Sequence, residues 1–469
     1  MGLVTLVMGI DSSTQSTKAV LVDAADGRVV DARSAPHPVG TEVDPRAWLA
    51  AVDRATDGLL ELADAVAVGG QQHGMVALDE DGQPVRDALL WNDTRSAGTA
   101  ADLVAEMGGP QACADAVGSV LVASFTASKL RWLRDHEPAA AARVRRVLLP
   151  HDYVSLHLAA AGTEPFTDRG DASGTGYLDT AAGTWRPDLA AAALGHEVDL
   201  PRLVAPGTAA GTTRTGALLA GGTGDNMAAA LGMGLEVGDV LVSLGTSGVA
   251  SCISATPVAD GSGVVTGFAD AAGGFLPMVT TMNAARILDL QAAWLGVDHD
   301  ELGRLALSST PGAGGVRISP YYGGERSPNR PAATGTWSGL RDTTTRADLA
   351  RAAVEALLCS LAEAVERLVA ETGRQPARVL MVGGATRNPA VQALAPALLG
   401  HDVSLPPAGE YVALGAARQA AWALAGTDGP PSWAAGPTTV LTADAAARDA
   451  APAVRAAYAD LRERTAPWS

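Results

Sequence analysis

A run of small and polar residues, Gly9-Ile10-Asp11-Ser12-Ser13-Thr14-Gln15-Ser16-Thr17-Lys18, joins two apolar stretches near the start of the chain. Small residues in a tight turn present backbone N–H groups that can cradle phosphate oxygens. An Asp at a strand end can hold Mg²⁺ directly or through water, and Lys18 can add a point charge. The spacing GxxxxGKS/T of a P-loop is absent. A second run, Ser243-Leu244-Gly245-Thr246-Ser247-Gly248, offers phosphates the same kind of turn in the second half of the chain. A third, Gly221-Gly222-Thr223-Gly224-Asp225-Asn226, sets one carboxylate in a loop whose glycines free the backbone. Phosphoryl transfer to a hydroxyl needs a base beside the attacking oxygen, and an Asp suffices; such a base contributes roughly 10²–10⁴-fold. Each run alone reads equally well as an ordinary polar turn. Two phosphate-type turns facing each other across a cleft would make a phosphate clamp more credible than either does singly.

Two further clusters, Gln71-Gln72-His73-Gly74 and Trp91-Asn92-Asp93-Thr94-Arg95, close apolar runs. A sugar needs many hydrogen bonds and an apolar or aromatic wall, and these clusters supply both. Singly, His73 reads as a satisfied structural histidine, Trp91 as core and Arg95 as an ion-pair residue. Gly383-Gly384-Ala385-Thr386-Arg387-Asn388 joins a strand to a helix N-terminus, where glycines allow a flat ligand such as adenosine to approach and the helix end favours negative charge. In Gly323-Gly324-Glu325-Arg326-Ser327-Pro328 the adjacent Glu325 and Arg326 read as a structural ion pair or a functional one.

The elements that must position these residues are legible from pattern. Val4–Ile10, Lys18–Val22, Arg28–Arg33 and Ala65–Gly69 read as strands, with a polar turn over Asp11–Thr17. Asp44-Pro45 opens a helix with an Asp N-cap. Val240–Leu244 and Val249–Ile253 form a second strand–turn–strand, which suggests two related lobes. Thr345 and Asp348 form a capping box on a long helix ended by Gly373, with Leu349, Ala353, Leu357, Leu361, Val365 and Leu368 on one face. Arg378–Val382 is a buried strand, and Asn388-Pro389 opens another helix. The alternation implies an α/β architecture, with two domains, 1–235 and 236–469.

The chain has 469 residues, too many for one core. A formal charge of −17 argues against nucleic acid and anionic membranes as partners. Lys18 and Lys129 are the only two lysines, a scarcity that reads as codon bias. Cys113, Cys252 and Cys359 are scattered, which implies neither zinc nor a disulfide framework. Met1–Ile10 lacks the basic region of a signal peptide, and no stretch is apolar enough to span a bilayer. A reducing cytoplasm is the expected compartment.

In this order and spacing, the segments GIDSSTQSTK, GGQQHGMVALD, LLWNDTRS, GGTGDN, SLGTSGV, PYYGGERSPNR and VGGATRNP resemble the FGGY carbohydrate kinases, over nearly the whole chain from Met8 to about Ala425. Within the family the resemblance is strongest to its xylulokinase branch. It implies a two-lobed actin-like ATPase (ribonuclease H-like) fold, with an N-terminal sugar-binding and a C-terminal ATP-binding domain around a central cleft. It implies transfer of the γ-phosphoryl group of ATP, with Mg²⁺, to D-xylulose, giving D-xylulose 5-phosphate. Another ketose or polyol, such as ribulose or an alditol, is the nearest alternative, and a non-catalytic sugar-binding protein on the same fold is a third. The resemblance makes Asp225 the general base and Gln72, His73, Trp91, Asn92, Asp225 and Asn226 the sugar contacts. It gives Asp11 to the metal, and Ser13, Thr14, Gln15, Lys18, Gly245, Thr246, Gly383, Gly384 and Asn388 to ATP. A homodimer is a family expectation. The chain departs from the pattern at Gln72, where xylulokinases commonly have Met, and in the short stretch Gly211–Gly221. There only Ala217-Leu218-Leu219-Ala220 reads as a strand, so altered support behind Asp225 is expected.

Overall fold

Strand β1 (Leu6–Ser12) is buried along nearly its whole length. It pairs antiparallel with β2 (Ser16–Asp23), which pairs antiparallel with β3 (Val29–Pro36). On its other side β1 runs parallel to β4 (Ala65–Gly70). Strands β5 (Ala209–Thr212) and β6 (Leu218–Ala220) form an antiparallel pair, and β6 lies parallel to β4. A short strand, β7 (Thr223–Gly224), pairs in parallel with Gly69 and Gly70 at the end of β4.

Side chains alternate across this sheet. Met8, Ile10, Leu21, Val66 and Val68 pack on one face with Trp48 of the helix Arg46–Thr56. Val7, Val20, Val22, Ala65 and Ala67 pack on the other, against Ala413, Ala416, Ala417 and Ala420 of the helix Tyr411–Ala425. Burial on both faces is why β1 reads as a continuous apolar run and not as an alternation. The second face is built of small residues, which lets backbones meet. A Cβ on Gly9 would lie 1.8 Å from the carbonyl oxygen of Ala413, and one on Gly415 would lie 1.8 Å from that of Ala228 in the helix Asp225–Gly232.

The second sheet repeats the plan. Its central strand β8 (Asp239–Leu244) pairs antiparallel with β9 (Gly248–Cys252), and β9 pairs antiparallel with the Met278–Thr281 stretch of β10 (Phe275–Thr281). On the other side come β11 (Arg378–Val382) and β12 (Val403–Leu405), both parallel, and then antiparallel β13 (Thr439–Leu441). The duplication suggested by the two strand–turn–strand units extends to five strands, β3-β2-β1-β4-β6 corresponding to β10-β9-β8-β11-β12, while the antiparallel edge strand precedes its neighbour in the first sheet (β5 before β6) and follows it in the second (β13 after β12). The helix Arg346–Thr372 begins with the expected capping box. The Asp348 N–H donates to Thr345 Oγ1 at 3.2 Å, and the Thr345 N–H donates to Asp348 at 2.9 Å. Asn388 caps Pro389–Leu399 by accepting the N–H groups of Ala390 and Val391.

The structure, a computed structural model, describes residues 4–434 and 436–468; Met1–Leu3 of the N-terminal run lie outside them. The chain forms two compact units. One comprises Met1–Leu235, Ala255–Leu276 and Gly409–Ala435, and the other Glu236–Ser254, Pro277–Ala408 and Gly436–Ser469. Each is a mixed sheet with helices. Among the described residues no helix is long and apolar enough to cross a membrane. All three cysteines are buried free thiols.

Local expectations shift in two places. The first hairpin ladder runs on to the pair Ser12 and Thr17, so the turn proper is Ser13–Gln15, not Asp11–Thr17; Thr17 Oγ1 is held by His37 Nε2 at 2.8 Å. The first helix starts at Arg46 with Pro45 in the cap position, while Asp44 accepts the Arg46 N–H at 3.0 Å.

Candidate active site

In the first unit the C-terminal ends of β1, β4 and β7 lie side by side, and each delivers a predicted residue. Strand β1 ends in Asp11, which is buried and accepts a hydrogen bond from the hydroxyl of Ser13. Burial pushes its carboxyl up to about 6, against the Ser13 hydrogen bond and the charge of Lys18. Strand β4 runs into Gln71 and Gln72, both buried, and then His73, which is partly buried. Strand β7 ends at Gly224, and Asp225 and Asn226 begin the following helix. Gly224 is needed there, since a Cβ would lie 2.8 Å from Cγ of Gln72.

These residues form one hydrogen-bonded chain. Nδ2 of Asn226 donates to Oε1 of Gln72 at 3.0 Å and to Oδ1 of Asp225 at 2.9 Å, and the Asn226 N–H donates to the same oxygen at 2.8 Å. Nε2 of Gln72 is buried and has no hydrogen-bond partner among the described residues. Burial pushes the Asp225 carboxyl up to about 7, helped by the negative charges of Asp11 and Asp171 and opposed by the bonds from Asn226. A carboxylate with its pKa near neutrality is suited to take a proton at physiological pH.

The shortened stretch before Asp225 does not leave it unsupported. Two strands, β5 and β6, occupy it, and β7 is fixed to β4 by register. Gln419 Nε2 donates to the carbonyl of Gly222 at 2.9 Å, and Thr223 Oγ1 donates to Asp168 Oδ2 at 2.7 Å. Below lies a cluster that motif reading passed over. The fully buried His151 bonds through Nδ1 to Asp171 at 2.6 Å, and its Nε2 stands 3.3 Å from Asp152. Burial alone would lower this imidazole's pKa, but Asp152, Asp171 and Asp168 raise it well above the ordinary range. Its ring meets Gly222 and its Cβ meets Gly70, so it supports both loops. Each histidine and aspartate of this cluster looks unremarkable in sequence, because only the fold stacks them.

His73 has a left-handed backbone, φ 66°, unusual for a non-glycine residue. Its Nδ1 donates to the carbonyl of Gly174 at 2.7 Å, and its ring lies 5.2 Å from Phe125 and 5.5 Å from Phe268. Trp91 is exposed, and its indole N–H donates to Thr14 Oγ1 at 3.0 Å. Asn92 is exposed beside it. Asp93 and Arg95 form an ion pair at 2.9 Å, with Arg95 also bonded to Glu42. Gln15 accepts the His37 N–H through its carbonyl at 2.8 Å. Lys18 pairs with Glu410 at 2.6 Å, a partner from a distant segment that no local pattern reveals.

In the second unit, a cavity of about 550 Å³ is lined by Gly245, Thr246, Leu288, His299, Gly384, Arg387 and Asn388, among others. The turn after β8 is fixed through its carbonyls, Gly245 accepting the N–H of Ala285 at 2.9 Å and Thr246 that of Ala284 at 3.1 Å. Gly383, φ 104°, passes so close to β8 that a Cβ would lie 2.4 Å from the Leu244 carbonyl oxygen. Nδ2 of Asn388 donates to the carbonyl of His299 at 3.0 Å, so its amide holds two walls of the cavity together. Among the described residues no ion pair joins Glu325 to Arg326. The Glu325 carboxylate instead accepts the Met282 N–H at 2.6 Å and Asn283 Nδ2 at 3.0 Å. Nor do three His, Cys, Asp or Glu side chains converge as a metal centre among these residues. The single carboxylate of Asp11 suits a Mg²⁺ that takes its other ligands from phosphates and water.

Residues 6–232 match the family model for the N-terminal domain of the FGGY family of carbohydrate kinases, and residues 240–424 match that for the C-terminal domain. A xylulose kinase of Streptomyces coelicolor is 46% identical over 438 residues, 90% of this chain and 89% of that protein. A xylulose kinase of Escherichia coli is 33% identical over 449 residues, 88% and 89% of the two chains. The crystal structure of a xylulose kinase from Bifidobacterium adolescentis superposes with a TM-score of 0.90 at 44% identity, covering 98% of this chain and 100% of that one. A Plasmodium falciparum glycerol kinase with ADP shares the fold, with a TM-score of 0.87 at 17% identity over 99% and 98% of the chains.

Proposed function

The chain belongs to the FGGY family of carbohydrate kinases, enzymes of actin-like ATPase fold that phosphorylate sugars with ATP, and we propose that its acceptor is D-xylulose and its product D-xylulose 5-phosphate. The observation that carries this reading is the chain Gln72–Asn226–Asp225, in which a sugar-type polar pair is bonded to a carboxylate whose pKa lies near neutrality. The choice of acceptor follows the names of the relatives that align over most of the chain.

In this reading Gln72, His73 and Asn226 hold the ketose, with Trp91 and Asn92 at the rim. Asp225 takes the proton of the 5-hydroxyl as that oxygen attacks the γ-phosphorus. The bond from the acceptor oxygen to phosphorus forms, the bond to the β–γ bridging oxygen breaks, and ADP leaves. The nucleotide enters as Mg·ATP, with Asp11 as the protein's carboxylate for the metal. Ser13, Thr14, Gln15 and Lys18 serve phosphates from the first turn, and Gly245 and Thr246 from the second. Gly383, Gly384 and Asn388 shape the wall for adenosine. A cytoplasmic location accords with ATP as phosphoryl donor, and a homodimer follows the family; sedimentation in solution tests the latter.

A second reading, the same reaction on another ketose or polyol, is favoured by one feature, the buried amide donor of Gln72 where the family commonly has Met. Coupled measurement of ADP release with Mg·ATP across D-xylulose, D- and L-ribulose, glycerol, gluconate, D-arabinitol and xylitol separates the two. Preferential turnover of D-xylulose is expected. Preference for another member would replace the acceptor, and sugar binding with no ADP from any member would move the protein to the non-catalytic reading.

A further inference from the structure

The helix Thr126–His136 brings an unusual group to the back of His73. Lys129, one of the chain's two lysines, is 0% exposed. Its ammonium donates to the carbonyl of His73 at 3.2 Å and to that of Ser124. Thr126, one turn earlier on the same face, donates its hydroxyl to the same His73 carbonyl at 3.2 Å. Taking an ammonium out of water with only neutral carbonyls as partners is costly. Burial lowers its pKa to about 7, and the charge of Asp93 offsets this only in part. A fold keeps such a group where the alternative costs more.

The alternative here is the backbone of His73. With φ at 66°, a histidine pays a steric penalty that its surroundings must over-determine. The ring is set from the front by the Gly174 carbonyl, which only a glycine at 174 permits, since a Cβ there would lie 2.6 Å from Nδ1 of His73. Because a carbonyl only accepts, Nδ1 carries the proton of this bond. The main chain is set from behind by Lys129 and Thr126. Two donors on one carbonyl fix the peptide plane after His73, and with it the direction in which the ring leaves the chain.

We propose that Lys129 is a positioning residue for acceptor recognition, its buried ammonium acting with Thr126 to hold the left-handed backbone of His73 and so aim the imidazole at the sugar. The inference rests on the reading of His73 as an acceptor contact. Its test is a double-mutant cycle on D-xylulose binding, measured by calorimetry without nucleotide, with the KM for Mg·ATP measured alongside. His73→Ala and Lys129→Met are each expected to weaken D-xylulose binding about 10-fold or more, as displacement of a contact group does. The double variant should be no weaker than His73→Ala alone, and the KM for Mg·ATP should stay within about twofold in all three. If His73→Ala weakens binding while Lys129→Met does not, or if the two effects multiply, Lys129 has no such role and His73 keeps its own. If His73→Ala leaves D-xylulose binding intact, both readings fall. Should Lys129→Met not fold, Thr126→Val removes the other donor to the same carbonyl and is put through the same cycle. A loss that vanishes in the His73→Ala background supports the proposal, and no loss overturns it.

Discussion

At the head of the first sheet, β1 delivers a buried carboxylate, Asp11, and side chains tie down the turn that follows. Ser13 bonds to Asp11, Trp91 to Thr14, and Lys18 to Glu410. At the head of the second sheet the equivalent strand ends in Leu244, and the turn Gly245–Ser247 carries no ionisable group. It is fixed through its carbonyls, by Ala284 and Ala285, and by the close passage of Gly383. The central strands correspond and the chemistry differs. At the head of the first sheet burial raises the pKa of both Asp11 and Asp225, and the like charge of Asp11 adds to the rise at Asp225. The second turn offers backbone N–H groups and the hydroxyls of Thr246 and Ser247, which can meet phosphate without adding a charged side chain. In a chain of net charge −17 that division is economical, because a polyanionic ligand meets no carboxylate in the second turn itself.

If the division is real, damage to one turn should spare the task of the other. Asp225→Asn gives the largest expected effect. It should cost about 10²–10⁴-fold in kcat and leave Mg·ATP binding intact by calorimetry; wild-type turnover in this variant would falsify the base assignment. Gly383→Ala breaks the second unit alone. An L-residue at φ 104°, pressed 2.4 Å from the Leu244 oxygen, must displace β11 from β8. The expected outcome is a rise of about 10-fold or more in the KM for Mg·ATP, from about 1–3 kcal/mol of strain, with D-xylulose binding unchanged. A rise in both constants would mean that the two turns are not separable.

The pH profile sharpens the same contrast at smaller amplitude. Asp225 must be ionised to accept a proton, and its pKa is raised to about 7, so its active form is lost as pH falls through that value. The rate kcat/KM for the acceptor should drop about tenfold per unit on the acid side. An acid limb near pH 4 would place Asp225 in a more solvated setting than the fold gives it.

What was legible in the sequence follows the range of the forces involved. The helices Arg346–Thr372 and Pro389–Leu399 announce themselves because caps and apolar spacing are local. The strand–turn–strand units are equally local. The helix Tyr411–Ala425 is a different case. Its packing face is Ala413, Ala416, Ala417 and Ala420 in an alanine-rich run, so periodicity does not reveal which side is buried, and its partner is β1 at the other end of the chain. The return of the chain to the first unit leaves no mark in composition. At the site, Asp225, Gln72 and His73 stand in motifs, and the family resemblance gave them roles. Lys129 and His151 do not stand out, because their peculiarity is burial, which belongs to the fold. The scarcity of lysine reads as codon bias and assigns Lys129 no role.

The smallest effect probes the rim of the first turn. The Trp91 indole is exposed, yet its N–H donates to Thr14 Oγ1 at 3.0 Å, joining the segment after β4 to the turn after β1. Trp91→Phe keeps an aromatic wall and removes that single donor. A neutral hydrogen bond at an exposed position contributes about 0.5–1.5 kcal/mol, so the turn should loosen without unfolding. The expected change is about threefold in the KM for D-xylulose or for Mg·ATP, with Tm unchanged. Which constant moves is the informative part. A shift in the acceptor KM alone makes Trp91 a sugar wall. A shift in the nucleotide KM alone makes it a brace for the phosphate turn. A shift in both would mean that this one bond couples acceptor and donor sites within the first unit.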